Sequence, residues 1–130
     1  MANTPQGAGA FTRFYFAEVL KAYNTQDTQI VRGLAADSCK TCAGLAGSID
    51  AMRVSHQRVT GPPIEVLSAE TPGFGYGPVV VDLQYKIPSY NVIDEQGKIV
   101  HHIPAEKRDV FLITLNRVSV GWLIGKIQVP

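Results

Sequence analysis

Only two cysteines and one tryptophan occur in these 130 residues, and charge is also sparse, with 18% Asp, Glu, Lys and Arg and a formal net charge of +1. No Lys/Arg cluster is present, so the electrostatic footprint of a nucleic-acid binder is missing and no nucleic-acid partner is expected. No run of about 18 apolar residues occurs, so no stretch reads as a membrane span. A second Cys pair is lacking, as is a His pair at ligand spacing, which leaves a zinc ion without a full ligand set. The opening segment, Met1 to Gly7, has neither a basic start nor an apolar stretch and does not read as a signal peptide. It reads as a linker stub over residues 1–8, ahead of a single domain over 9–130. What is abundant is apolar: 45% hydrophobic residues, enough for one globular core and too many for wholesale disorder.

Periodicity divides the chain in two. From about Ala10 to Asn24, Phe11, Tyr15, Phe16, Val19, Leu20, Ala22 and Tyr23 cover one side of a 3.6-residue wheel, predicting a helix with an aromatic core-facing side. Asn24-Thr25-Gln26-Asp27 breaks it, and Asp27 is placed to cap a short second helix from Thr28 to Leu34. A third helix is expected from Thr41 or Cys42 to about Val59, stopped by Gly61-Pro62-Pro63. Leu45, Ile49, Met52 and His56 fall on one face of it, and Gly44 and Gly47 suggest close approach of another backbone. After Pro63 the period becomes two. Strands are read at Ile64–Ala69, Val79–Ile87, Tyr90–Ile93, Lys98–His101, Asp109–Asn116 and Trp122–Val129, with a turn at Asp94-Glu95-Gln96-Gly97 and a tight connection from Arg117 to Gly121. Helices followed by a meander of antiparallel strands make an α+β fold, with three N-terminal helices packed on a curved antiparallel sheet.

Several constellations could carry chemistry. Cys39 and Cys42, three apart at a helix start, admit a structural disulfide, a redox pair or a metal half-site. The disulfide is favoured, because a thioredoxin-type motif calls for a preceding strand and a zinc site for two further ligands. His101 and His102 are adjacent and on a strand point to opposite sides. Gly73-Phe74-Gly75-Tyr76-Gly77-Pro78 resembles a phosphate loop superficially, but a strand follows where a dinucleotide site needs a helix. It reads as a flexible hairpin loop, or as a mobile one offering Phe74 and Tyr76 to a ligand or partner. No cofactor is expected.

The opening Phe11-Thr12-Arg13-Phe14-Tyr15-Phe16, the helix end Ala22-Tyr23-Asn24-Thr25-Gln26-Asp27, the short helix through Leu34 and the closing Gly121-Trp122-Leu123-Ile124-Gly125-Lys126-Ile127 together resemble the nuclear transport factor 2-like superfamily. That fold is a cone in which a curved sheet wraps around helices. With Cys39 and Cys42 just after the second helix, the chain is similar to an uncharacterised group of actinobacterial secreted lipoproteins. The resemblance runs from about Gly7 to Ile127. It implies export to the cell envelope, with a membrane link only through an N-terminal lipidated cysteine upstream of this sequence. Cys39 does not suit that role, since Asp37 stands where a lipidation signal wants a small uncharged residue. The group brings no established catalytic residues.

Superfamily enzymes place acid–base groups inside the cone, which makes Tyr15, His56, Asp82 and Asp109 the candidates here. Asp82 sits on the polar register of its strand and Asp109 at a strand start, and no carboxylate pair or Ser/His/Asp set stands out. The expected role is therefore a non-catalytic envelope domain that binds a small apolar ligand or a protein partner. An isomerase-, dehydratase- or hydrolase-like enzyme and an accessory module of a secretion or wall-synthesis assembly are the alternatives. Tyr15, Val19, His56 and Tyr85 are the expected ligand-binding residues: their apolar bodies can wall a cavity while two hydroxyls and an imidazole orient a ligand. The competing reading is that they simply fill the core. Val110 to Leu115, apolar on both registers, suggests a sheet face able to pair two chains.

Overall fold

The computed structural model describes residues 2–75, 77–119 and 121–130. It is a mixed α+β structure in which helices precede antiparallel strands. Helix α1 spans Pro5–Thr25, five residues more at its start than the periodicity suggests. Thr4 is its N-cap, extended in backbone and accepting the Gly7 N–H at 3.0 Å on its Oγ1, and Pro5 occupies a first-turn position where no N–H is needed. Residues 5–8 thus belong to the helix and not to a linker, and Gly7, Ala8 and Gly9 are buried. A Cβ on Gly9 would stand 3.1 Å from the Ala69 carbonyl oxygen, so the glycine lets α1 lie close to the sheet. Gln26, in the left-handed conformation, ends the helix.

Helix α2 is short, Gln29–Gly33, and Asp27 Oδ1 accepts the Gln29 N–H at its entrance. Helix α3 runs Lys40–Val54 with Cys39 as its N-cap. The two helices are tied by Asp50, which accepts from Arg32 at 2.6 Å and from Thr28 Oγ1 at 3.0 Å; these hydrogen bonds hold its carboxyl below the ordinary range. The Cys39 and Cys42 sulfurs are bonded at 2.06 Å, and both residues are buried.

The end of α3 corrects the sequence reading. Gln57 N–H bonds to Met52 O and His56 N–H to Arg53 O, with His56 in the left-handed conformation at φ 56°. That double bond pattern is a Schellman stop with histidine in the position glycine usually takes. The chain then forms β1, Arg58–Val59, within what the periodicity assigns to helix. Gly44 and Gly47 do not serve a close backbone approach either: a Cβ on either one meets nothing within 4 Å. Since only the entropic cost of glycine remains, Gly44→Ala and Gly47→Ala are each expected to stabilise by about 0.5–1 kcal/mol. Thermal or urea denaturation checks this, and a destabilised variant would show that the two positions need glycine after all.

The strands β2 (Glu65–Glu70), β3 (Val79–Ile87), β6 (Glu106–Val118) and β7 (Gly121–Gln128) form a four-stranded sheet in the order β2-β3-β6-β7. With β1, the strands β4 (Tyr90–Ile93) and β5 (Ile99–Ile103) form a three-stranded one, in the order β1-β4-β5. The pairings between these strands are antiparallel. The two sheets share one hairpin: Ile87 pairs with Glu106, and Tyr90 pairs with Ile103. Between these pairs each strand carries a proline, Pro88 across from Ala105 and Pro104 across from Ser89. Neither proline has an N–H to give to the ladder, so the hairpin divides there into two sheets.

On the inner register, Val79, Val81, Leu83, Ile113, Leu115 and Ile124 are fully or almost fully buried beneath Phe11, Tyr15, Phe16 and Val19 of α1. Each such aliphatic side chain contributes roughly 1.5–3 kcal/mol by leaving water. The outer register is mixed. Asp82 pairs with Leu112 and Gln84 with Val110, while Val80 is 39% exposed beside Thr114.

Candidate functional site

One apolar cavity of about 200 Å³ opens at the end of the four-stranded sheet where the hairpin divides. Helix α1 contributes Phe16, Val19 and Tyr23, which share a face at i, i+3 and i+7. Helix α3 contributes Thr41 and Leu45, one turn apart. Tyr85 and Ile87 project from alternate positions of β3, Phe111 and Ile127 come from β6 and β7, and Pro63, Ile64 and Tyr90 complete the rim. The Tyr85 and Phe111 rings stack with centroids 4.2 Å apart and planes 13° from parallel, a diagonal cross-strand pair that gives the cavity a flat wall. Thr41 Oγ1 donates to the Ile127 carbonyl at 3.1 Å, fixing the first turn of α3 against β7.

The ionisable groups in this lining are tyrosines alone. Burial raises Tyr23, and Tyr90 beside it raises it further; burial also raises Tyr90. Tyr85 is raised by burial first, then by the negative charges of Asp109 and Glu106. A phenol already un-ionised near neutrality and pushed higher stays a neutral donor and acceptor. The site can therefore bury apolar surface and orient a ligand through three hydroxyls. Among the described residues that line it, none is poised to exchange a proton near pH 7.

Of the four residues the sequence singles out, two meet here: Val19 and Tyr85. Tyr15 lies behind the wall at 1% exposure, edge-on to Phe16 with centroids 5.2 Å apart, and burial pushes its hydroxyl up to about 12. It is a core residue. His56 is on the surface past the end of α3, its Nδ1 3.2 Å from Glu95 in the β4–β5 turn, and takes no part in the cavity. The other lining residues, with Tyr23, Tyr90 and Phe111 among them, are ones that the sequence reading passed over. Tyr23 was findable, being four residues beyond Val19 on the apolar side of α1. Tyr90 was not, because its position depends on the break at Pro88.

The remaining motifs are placed elsewhere. His101 and His102 are both exposed on β5, and His102 Nδ1 lies 2.7 Å from Asn91 Oδ1. The glycine-rich loop is held and not free: Arg117 donates to the carbonyls of Gly75 and Gly77, at 2.5 and 2.6 Å, and its guanidinium stands 5.4 Å from the centre of the Phe74 ring. Tyr76 lies outside the described residues. Among the described residues no three His, Cys, Asp or Glu side chains gather to hold a metal ion, and no helix is long and apolar enough to cross a membrane. No protein-family model matches the chain, and no curated protein matches it.

Proposed function

We propose that this protein is a non-catalytic, exported cell-envelope domain that binds a small, largely apolar molecule in the mouth of a nuclear transport factor 2-like cone. The single observation that carries the reading is the cavity itself: aromatic and aliphatic walls with a few convergent hydroxyls, the usual make-up of a small-molecule site. The cone is supported by the hairpin that divides at Pro88 and Pro104 and by α1 packed on the inner register of the sheet. Export is supported by the disulfide, since such bonds persist in oxidising compartments. A volume of about 200 Å³ is below the usual range of roughly 300–1,000 Å³ for drug-sized ligands, so the occupant is a single ring or a short chain.

Native mass spectrometry of protein freshly purified from its own envelope is expected to show a small molecule travelling with it. Leu45→Trp places an indole in the cavity from a half-buried helix position and should remove that adduct while the circular dichroism spectrum is preserved. An adduct retained in full by Leu45→Trp would place the binding elsewhere and overturn the reading.

A further inference from the structure

Resting on the binding reading above, we infer that the ligand is an organic cation: an apolar body carrying a quaternary or alkylated ammonium head, held by the aromatic rings of the cavity and by Asp109 and Glu106 at its rim. Five of the lining residues are aromatic, Phe16, Tyr23, Tyr85, Tyr90 and Phe111, and they come from four different elements. Aromatic faces are electron-rich, and several arranged about one space favour an alkylammonium, whose charge is diffuse and weakly hydrated. The cavity offers such a head no competing lysine or arginine, because none lines it.

The charge at the rim has the matching sign. Asp109 is the direct cross-strand partner of Tyr85, and Glu106 that of Ile87; side chains paired in this way emerge on the same face of a sheet. Both carboxylates therefore sit on the register that lines the cavity. Neither has an ion-pair partner among the described residues, whereas nearby Glu65 is paired with Lys86 at 3.4 Å. Their field reaches into the site, since both raise the Tyr85 hydroxyl. A carboxylate-bearing ligand would meet two like charges at this entrance, and a neutral one would gain nothing from them.

Three probes of equal chain length separate the possibilities by calorimetric titration of the intact protein: hexyltrimethylammonium, 1-hexanol and hexanoate. The cation is expected to bind about tenfold more tightly than the alcohol, and hexanoate more weakly than either. In the double variant Asp109→Asn/Glu106→Gln the advantage of the cation should fall to about threefold or less, with 1-hexanol unaffected. Both positions are exposed, so the fold is not at stake. Three probes binding alike, or hexanoate binding best, would overturn the cation inference and leave the apolar site standing. A cation preference unchanged in the double variant would remove the carboxylates from the account. Failure of all three probes would overturn the binding reading as well.

Discussion

Ile113→Ala is expected to lower the unfolding free energy by about 3–4 kcal/mol, while Leu112→Ala, one residue away, should cost about 1 kcal/mol or less. Ile113 has no solvent exposure and sits in the middle of the four-stranded sheet, paired with Val81 on one side and Ile127 on the other, beneath α1. Truncating it leaves a cavity lined on all sides. Leu112 is half-exposed on the outer register beside Asp82, where solvent fills the gap. Because side chains alternate along a strand, a slip of one residue would exchange the two outcomes. Urea denaturation followed by circular dichroism measures both. Equal losses, or the reverse order, would mean that β6 is registered otherwise. A domain of ordinary stability holds roughly 5–15 kcal/mol, so the Ile113 variant would keep only part of its margin.

The double variant Cys39→Ala/Cys42→Ala should lose about 2–3 kcal/mol. On the chain-entropy account, closing so short a loop is worth about 2 kcal/mol, and the buried sulfurs add packing. The effect extends beyond the loop. Cys39 caps α3 by accepting the Cys42 N–H at 3.3 Å on its sulfur, and the same turn carries the Thr41 contact to Ile127 at the cavity wall. Reductant should therefore destabilise the natural protein by a comparable amount and leave the double variant unmoved. Thiol titration of unreduced, denatured protein should find no free cysteine. Two reactive thiols in protein made under oxidising conditions would defeat both expectations.

The strands were legible in the sequence because period-two alternation at Val79–Ile87 and along β6 is a property of each segment alone. The same holds for the aromatic side of α1. Errors arose where a backbone device outweighed composition. Thr4-Pro5 begins a helix that the following glycines made look like linker, and Gly9 is explained by Ala69, which is 60 residues away in sequence. The apolar spacing through Met52 carries on to His56, but the helix stops at Val54 on bonds that no side-chain pattern records. The site shows the same division. Val19 and Tyr85 were visible as inward residues of long regular elements. Tyr90 and Phe111 reach the cavity only through the divided hairpin and the cross-strand stack, both tertiary facts.

Arg117 lies between two rings, 5.4 Å from the centre of Phe74 and 5.3 Å from that of Trp122, and it also donates to Asn3 Oδ1 at 2.9 Å. Trp122 is the one tryptophan in the chain. Its emission is therefore a built-in optical gauge of whether the amino-terminal residues and the glycine-rich loop are docked, since a guanidinium leaving the indole changes its surroundings directly. The gauge is blind at the other end. Strand β3 begins beside that loop and reaches the cavity at Tyr85, six residues later, a span of roughly 20 Å. A ligand entering among the tyrosines would leave the indole signal flat, and a shift in that signal would report on the latch.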